Sequence, residues 1–413
     1  MRPSELFNLA EAVEEEVQPY YRRIEEVARK NHQRVLSAFQ EVRVSEFHLR
    51  GSSGYGYGDA GRKALDELFA RCFQAEAALV RSQIVSGTHA IALCLFGVLR
   101  PGDELLFVQG LPYDTLQEVI GTRGNAPGSL KELGVTYRQV DLLPDGQLDA
   151  AAIESALGPR TRVVLLQRSR GYSLHPSLGV EEMGGLIAAI KKKCPRAVVV
   201  VDNCYGEFVE ELEPTAVGAD LVAGSLIKNP GGGLAPTGGY VAGRREYVEM
   251  AAARLTAPGL GGEVGASPDY QRLFFQGLFM APHVVAEALK GAVFAARLFE
   301  RLGFKVTPRA QEKRTDIVQA ILLGSPQRLV AFCQGLQQAS PVDSHVLPQP
   351  VDMPGYGDRV IMAAGTFVQG SSIELSADAP MREPYAVYLQ GGLSKEYVRL
   401  AVISAARAVL AVG

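Results

Sequence analysis

Residues 197–208 read AVVVVDNCYGEF, and the four consecutive valines before Asp202 decide the fold. Helix and turn signals bound this run on both sides, as expected for a strand that is buried on both faces of a parallel sheet. From residue 77 onward, further short apolar runs such as AALVRS, DELLFV and RVVLLQRS alternate with helical stretches. Strands that alternate with helices predict an open α/β domain with a mostly parallel central sheet.

Different patterns flank this domain, so we expect three parts. Over residues 5–39, apolar positions spaced three and four apart are interrupted near Pro19, which predicts two helices in an N-terminal arm at 1–50. The large α/β domain is expected at 51–265. A long helical segment followed by mixed strands and helices then predicts a smaller C-terminal α+β domain at 266–413.

The composition is that of an ordinary soluble globular protein. The 413 residues are 47% hydrophobic and 21% charged with a net charge of -3, which disfavours nucleic acid or a membrane as a partner. The N-terminus does not have the pattern of a signal peptide, and no uninterrupted apolar run approaches the roughly 18 residues of a membrane helix. Five scattered cysteines fit a reducing cytoplasm, and no cluster of metal ligands is apparent. We therefore expect a cytoplasmic protein without a metal site.

Functional groups of open α/β sheets lie beyond the carboxyl ends of the strands. In VRSQIVSGTHAIAL, Ser86, Gly87 and Thr88 follow a strand and open a helix, where free N–H groups, hydroxyls and the positive helix end could hold a phosphate. An ordinary Ser or Thr N-cap is the alternative interpretation. Asp202 closes its apolar strand, where a carboxylate needs a cation or a hydrogen-bond donor; a capping or turn-forming Asp is equally consistent with the sequence.

A third candidate site is GSLIKNPGGGLAPTGGY, residues 224–240, in which Ser225 precedes Lys228 by three positions. Desolvation at the end of a buried segment would lower the pKa of this lysine and make it a candidate nucleophile, although most lysines are simply solvated. Gly56 to Gly61 formally match GxGxxG, but no apolar strand precedes them, so we interpret them as a tyrosine-bearing loop. The chain has no Gly-Lys dipeptide, which excludes a nucleotide-binding P-loop.

Together, these features match the needs of pyridoxal 5'-phosphate (PLP): an anion cradle, a carboxylate that keeps the ring nitrogen protonated, and a lysine that bonds to the cofactor. The chain resembles fold-type I PLP-dependent enzymes of the transferase-like architecture. Within them it is similar to the methionine gamma-lyase-like and cystathionine beta-lyase-like "aluminium resistance" proteins. The segments that carry this resemblance are GYGYGDAGR, QIVSGTHAI, LPYDTLQEVIG, LQRSRGYS, VDNCYGEF, GSLIKNPGGGLAPTGGY and SIELSADAPMREPY.

The resemblance implies roles for particular cofactor-binding residues. Lys228 would be the lysine that bonds to PLP and acts in catalysis, and Asp202 would pair with the pyridinium nitrogen. Tyr113 in PYDT would stack on the cofactor face beside the catalytic lysine. The phosphate would be held by Ser86, Gly87, Thr88 and Ser225.

It also implies contacts beyond one cofactor site. Tyr55 and Tyr57 match a region that in related lyases reaches the phosphate of a neighbouring subunit, so we expect a homodimer or homotetramer with shared active sites. The substrate would be a small amino acid whose carboxylate is held by an arginine. Arg382 is the first candidate for this contact, and Arg168 and Arg170 are alternatives.

The function that the resemblance implies is a PLP-dependent carbon–sulfur lyase acting on a sulfur-containing amino acid by β- or γ-elimination. Another PLP reaction, such as transamination, uses the same lysine and aspartate, and a catalytically silent scaffold of this fold is a third interpretation. Cys204 departs from the usual sequence of better-known lyases, and the glycine run is longer than theirs; Ile227 stands where many decarboxylases have histidine. Substrate preference is therefore not inherited from the resemblance.

Overall fold

The computed structural model describes residues 2–124, 127–267, 269–353 and 357–412. The helices are α1 (Pro3–Val42), α2 (Ala60–Cys72), α3 (Gly87–Val98), α4 (Asp114–Ile120), α5 (Ala150–Ala156), α6 (Val180–Lys193), α7 (Arg245–Leu255), α8 (Gln271–Arg301), α9 (Pro326–Gln338) and α10 (Lys395–Ala411). The strands are β1 (Ala77–Arg81), β2 (Glu104–Phe107), β3 (Thr136–Gln139), β4 (Thr161–Gln167), β5 (Val198–Asp202), β6 (Leu221–Ser225), β7 (Gly239–Gly243), β8 (Lys305–Thr307), β9 (Val318–Leu322), β10 (Val360–Ala363), β11 (Ser376–Pro380) and β12 (Ala386–Gln390).

The large sheet has seven strands in the order β1-β7-β6-β5-β4-β2-β3. The pairs β3–β2, β2–β4, β4–β5 and β5–β6 are parallel, whereas β7 runs antiparallel to both of its neighbours. This arrangement confirms the predicted α/β class with a mostly parallel central sheet. It also places the ends of β4, β5 and β6 side by side along one edge of the sheet.

The valine run lies at the centre of this sheet as strand β5. Val198 and Val200 belong to a hydrophobic cluster with residues of α3, α4 and α7, whereas Val199 and Val201 belong to a cluster with residues of α2, α6 and α8. Successive side chains of a strand point to opposite faces, so each face of the sheet is covered by its own helices. The continuous apolar run follows directly from this double burial.

The N-terminal arm differs from the prediction, because α1 is one helix of 40 residues that contains Pro19 rather than two helices. An apolar stripe continues through the proline and packs on the cluster that includes the C-terminal half of α8: Leu6, Ala10, Val13, Val17 and Tyr21. A proline removes one helical hydrogen bond, but an unbroken buried stripe on both sides of it keeps the helix together.

The smaller C-terminal domain contains a five-stranded antiparallel sheet in the order β10-β11-β12-β9-β8, against which α9 and α10 pack. Helix α8 joins the two domains, since its first half packs in the core of the large sheet and its second half in the core of the small domain. This helix is long and apolar enough to cross a membrane by composition, but 78% of its apolar window is buried inside the protein.

A glycine contact fixes α8 against the turn that follows Lys228. A Cβ atom built on Gly277 would lie 2.3 Å from the carbonyl oxygen of Gly231.

Gly277→Ala should therefore force the helix away from this turn and lower the free energy of unfolding by about 1–3 kcal/mol. The matched control is Gly185→Ala in α6, where a Cβ meets no atom within 4 Å, and we expect no loss of stability there. Urea denaturation of both variants tests this, and equal stability of the two would contradict the packing described.

Candidate active site

The predicted site residues come together because their strands end at the same edge of the sheet. Asp202 is the last residue of β5 and lies opposite Ala223 of β6, while Ser225 ends β6 three residues before Lys228. Strand β1 leads through a short loop to Gly87 at the start of α3. The resulting pocket has a buried carboxylate and a lysine from adjacent strand ends, which is the usual place for a ligand in an open α/β sheet.

The start of α3 provides a glycine-lined concavity. A Cβ on Gly87 would lie 3.0 Å from Sγ of Cys204 and 3.7 Å from Cβ of Ser225. Ser86 caps the helix, because its hydroxyl oxygen accepts a hydrogen bond from the His89 amide at 3.0 Å. Within the described part of the chain, the amides of Gly87 and Thr88 have no acceptor. The predicted cap and the predicted anion cradle therefore coexist: Ser86 satisfies one amide, and two further amides stay available to an anion.

Lys228 stands beside a residue that the sequence did not single out. Its Nζ lies 3.9 Å from the centre of the Tyr205 ring, a cation–π distance. Tyr205 follows Asp202 by three positions and adopts a φ of 72°, in the left-handed region that non-glycine residues seldom occupy. Such strain is found preferentially at functional sites, and here it brings the phenol ring against the lysine.

The charges of this pocket influence one another. Burial raises the pKa of the Asp202 carboxyl, whereas Lys228 and the Cys204 amide, which donates to Oδ1 at 3.1 Å, act in the opposite direction. Burial also disfavours the charged form of Lys228. The interactions with Cys204, Tyr205 and Asp202 outweigh this effect, however, so the pKa of Lys228 lies well above the usual value. The expectation of a lowered lysine pKa was therefore wrong for the protein by itself, because desolvation is only one of the opposing influences.

Tyr113 lies in the same pocket, immediately before α4. Its hydroxyl donates to Oγ1 of Thr88 at 3.3 Å, and Thr88 in turn contacts Oγ1 of Thr115 at 3.1 Å. Burial and the nearby carboxylate of Asp202 raise the pKa of this phenol, so it stays protonated. Tyr113 thus joins the α3 cradle to the loop after β2.

The small domain forms the opposite wall. Asp378 of β11 is buried and accepts hydrogen bonds on Oδ2 from the Tyr172 hydroxyl at 2.9 Å and from Nε2 of Gln390 at 2.6 Å. Burial raises the pKa of this carboxyl, while the two donors and Lys228 lower it. The Ser371 hydroxyl donates to the carbonyl oxygen of Ile227 at 3.0 Å, so the small domain directly contacts the residue before Lys228.

The three arginines considered for the substrate carboxylate lie in different environments. Arg168 is fully buried, and its guanidinium donates to Asn203 at 2.8 Å, Glu213 at 3.2 Å and Glu210 at 3.1 Å. Both terminal nitrogens of this guanidinium therefore contact buried acceptors, and the substrate role of Arg168 stays a prediction.

The other two arginines lie near Tyr172 in sequence or in space: Arg170 is in the loop after β4, and Arg382 follows β11. Arg170 is almost completely buried and donates to the carbonyl oxygen and hydroxyl of Thr307 at 3.2 and 3.1 Å. The Arg382 side chain is 54% exposed, pairs with Asp358 at 3.0 Å and lies 3.4 Å from the carbonyl oxygen of Tyr172. Of the three candidates, Arg382 therefore has the most accessible guanidinium.

Tyr55 and Tyr57 project from the loop before α2. Their side chains are 70% and 71% exposed, and their ring centres lie 5.6 Å apart. The loop is fixed at its base, because the Gly265 amide donates to the Tyr55 carbonyl at 2.9 Å and Asp59 caps α2. Two exposed aromatic rings on an anchored loop are available to another molecule, and the role predicted for them stays a prediction.

Residues 6–410 match the family model described as Methionine gamma-lyase. The chain belongs to the methionine gamma-lyase family. An uncharacterized protein of Bacillus subtilis, YnbB, is 52% identical over 394 residues, which cover 95% of this chain and 94% of YnbB. These comparisons confirm the resemblance predicted from the sequence.

Solved structures of similar proteins agree with this assignment. A Listeria monocytogenes protein, provisionally named a cystathionine beta-lyase involved in aluminum resistance, is 49% identical with a TM-score of 0.96, over 97% of this chain and 99% of that one. A Clostridium novyi protein described as a carbon-sulfur lyase involved in aluminum resistance is 48% identical with a TM-score of 0.94, over 98% and 95%. The PLP-dependent protein YhfS of Escherichia coli shares 18% identity and a TM-score of 0.64, which confirms the fold-type I architecture.

The residues present fit the PLP that this family implies. Gly87 leaves space that a side chain would fill, and the free amides of Gly87 and Thr88 suit a phosphate. The buried Asp202 carboxylate suits a protonated ring nitrogen, and Lys228 supplies a primary amine nearby. Among the described residues, no group of three or more His, Cys, Asp or Glu side chains is placed to hold a metal ion.

Sequence reasoning missed two side chains of this pocket. Tyr205 lies in the segment VDNCYGEF, and its position three residues after Asp202 was the signal that could have placed it near the site. Asp378 had no local signal, because only the folded small domain brings it toward Lys228.

Removing the Asp202 charge should lower the pKa of Lys228, because one of the negative groups that favour its ammonium form disappears while its burial stays. We expect Asp202→Asn to show faster amine labelling of Lys228 at pH 8–9 in cofactor-free protein, followed by peptide mass spectrometry. Asp145→Asn, an exposed turn residue, is the control. An unchanged labelling profile in Asp202→Asn would show that the two groups do not interact.

Proposed function

We propose that this protein is a PLP-dependent carbon–sulfur lyase that removes a sulfur substituent from the side chain of an amino acid by β- or γ-elimination. The observation that carries the proposal is the convergence of Asp202, Lys228 and the Gly87 cradle in one pocket of a chain that belongs to the methionine gamma-lyase family. The similar Clostridium novyi protein, described as a carbon-sulfur lyase, supports the same reaction class.

Each group has a distinct task in this proposal. When bound, PLP provides an electron sink for the pair released at the substrate α-carbon. Asp202 keeps a proton on the ring nitrogen because its buried carboxylate needs a positive partner. The Lys228 amine accepts the α-proton as a general base, and Tyr205 and Tyr113 hold the space around it. The products are a thiol, ammonia and a 2-oxo acid.

The substrate carboxylate is assigned to Arg382, whose guanidinium can bind it bidentately in exchange for Asp358. Arg170 is already engaged with Thr307 and is the alternative. The wall formed by Asp378, Tyr172 and Gln390 then faces the substrate side chain.

Arg382→Ala should raise KM strongly relative to wild type and change kcat little, because it removes a contact made by the bound substrate.

Lys228→Ala should abolish the visible absorbance of bound PLP. It should also abolish the release of ammonia, a 2-oxo acid and either a thiol, from L-methionine or L-cystathionine, or hydrogen sulfide, from L-cysteine. The physical reason is that Lys228 supplies the primary amine to which PLP bonds in this proposal. Lys192→Ala, which changes an exposed lysine of α6, is the control and should keep both properties. Turnover by the Lys228 variant at more than about one thousandth of the wild-type rate would contradict the assigned role.

The same assay separates the alternatives. Transamination would form a 2-oxo acid without thiol or free ammonia, and a silent scaffold would bind PLP without any product.

We further propose a homodimer or homotetramer in the cytoplasm, in which Tyr55 and Tyr57 complete the phosphate site of a second subunit. Their exposure on an anchored loop supports this assignment. Mixing Lys228→Ala subunits with Tyr55→Ala/Tyr57→Ala subunits should restore activity that neither has alone, because some mixed sites carry neither change. Absence of restoration in a verified mixed oligomer would contradict shared sites.

A further inference from the structure

Glu207 is a buried carboxyl group for which the proposed reaction has no use. It lies in the turn after β5, five residues after Asp202, and its side chain is fully inaccessible to solvent. Oε1 accepts a hydrogen bond from the Tyr240 hydroxyl at 2.9 Å, whereas Oε2 has no partner among the described residues. A buried carboxyl oxygen without a partner is costly and calls for an explanation.

The carboxyl fits into space left by a glycine of the neighbouring strand. A Cβ on Gly224 of β6 would lie 2.7 Å from Oε1 of Glu207 and 2.7 Å from the Tyr240 ring. Gly224 pairs with Tyr240 of β7 and is four residues before Lys228. Glu207 is therefore packed directly against the strand that leads to the lysine.

Two hydrogen bonds connect Glu207 to both sides of the site. Its main-chain carbonyl accepts from Nδ2 of Asn229, the residue after Lys228, at 3.0 Å. The Tyr240 hydroxyl, which donates to Oε1, also accepts from Nδ2 of Asn203 at 3.2 Å, and Asn203 directly follows Asp202. Glu207 thus links the segment that contains Asp202 to the segment that contains Lys228.

We propose that Glu207 is a positioning residue that, as a neutral acid, holds the Asp202 and Lys228 segments together and, when ionised, retains the proton on the Lys228 amine. The second part rests on the proposed function, in which this amine must be free to accept a proton.

The electrostatic surroundings support a neutral acid at physiological pH. Burial raises the pKa of Glu207 to about 8, and the negative charge of Glu213 acts in the same direction. The Tyr240 hydrogen bond and Lys228 oppose this shift. The charge of Glu213 is itself paired with Arg168. Burial raises the pKa of the Cys204 thiol, which lies on the same turn as Glu207.

The sign of the pH dependence follows from this shift. Between pH 4.5 and about 8 the folded protein keeps a proton on Glu207 that the unfolded chain has lost, so the folded state binds more protons. Stability from this group is complete below pH 4.5 and is lost as the pH rises to about 8. Glu207→Gln, which cannot ionise, should lack this loss, so its unfolding equilibrium constant relative to wild type should fall by about tenfold per pH unit within that window.

Amine labelling of Lys228 in cofactor-free protein from pH 7 to 10 tests the proposal independently of turnover. We expect Glu207→Gln to label about threefold to tenfold faster than wild type at pH 9, because the Glu207 charge then no longer adds to the groups that retain the lysine proton. Tyr240→Phe provides a second variant: without the hydroxyl donor the pKa of Glu207 rises further, so the difference from Glu207→Gln should begin at a higher pH.

In the holoenzyme, the ratio of kcat for Glu207→Gln to kcat for wild type should rise above pH 8. Changed stability with an unchanged Lys228 labelling profile would reduce Glu207 to a structural residue and overturn the proposal. Absence of thiol and 2-oxo acid formation by the wild type would instead overturn the proposed reaction, and the labelling experiment would still decide the role of Glu207.

Discussion

The carboxylate of Asp202 at the end of a strand buried on both faces is the constraint on which the rest of the site depends. A carboxylate in this position is unfavourable without a positive partner or donors, and the Cys204 amide supplies only one hydrogen bond. Lys228 on the adjacent strand end provides the opposite charge in the protein alone. A protonated cofactor ring would provide it during the proposed reaction, so the same buried charge stabilises the resting pocket and selects the ligand.

Glycines and the small domain shape the space around the Asp202 carboxylate. Gly87 and Gly224 have no side chain at points where a Cβ would press on Cys204 and Glu207, respectively. Ser371 of the small domain contacts Ile227, so a movement between domains would be transmitted to the segment of Lys228. Helix α8 passes through both cores and fixes their relation. The chemistry of the pocket therefore depends on contacts from distant parts of the chain.

Much of this could be predicted from local patterns, and the remainder depends on tertiary contacts. The valine run, the strand-end Asp202 and the helix start at Ser86 are local signals, and each lies where it was expected. The two-helix arm was wrong because Pro19 is an unfavourable residue whose cost is outweighed by packing against α8, which local spacing cannot show. The surroundings of Arg168 could not be predicted for a similar reason: an arginine beside a strand end has the same sequence signal whether it faces a ligand or three buried acceptors.

The measurement that tests the central claim most directly is reduction of the purified holoenzyme with borohydride, followed by peptide mass spectrometry. Reduction fixes a cofactor covalently to the lysine that holds it. We predict a phosphopyridoxyl group on the peptide that contains Lys228 and on no other lysine. A modification at another lysine, or cofactor-loaded protein with no modified peptide at all, would contradict the assignment of Asp202 and Lys228 as the two centres of the site.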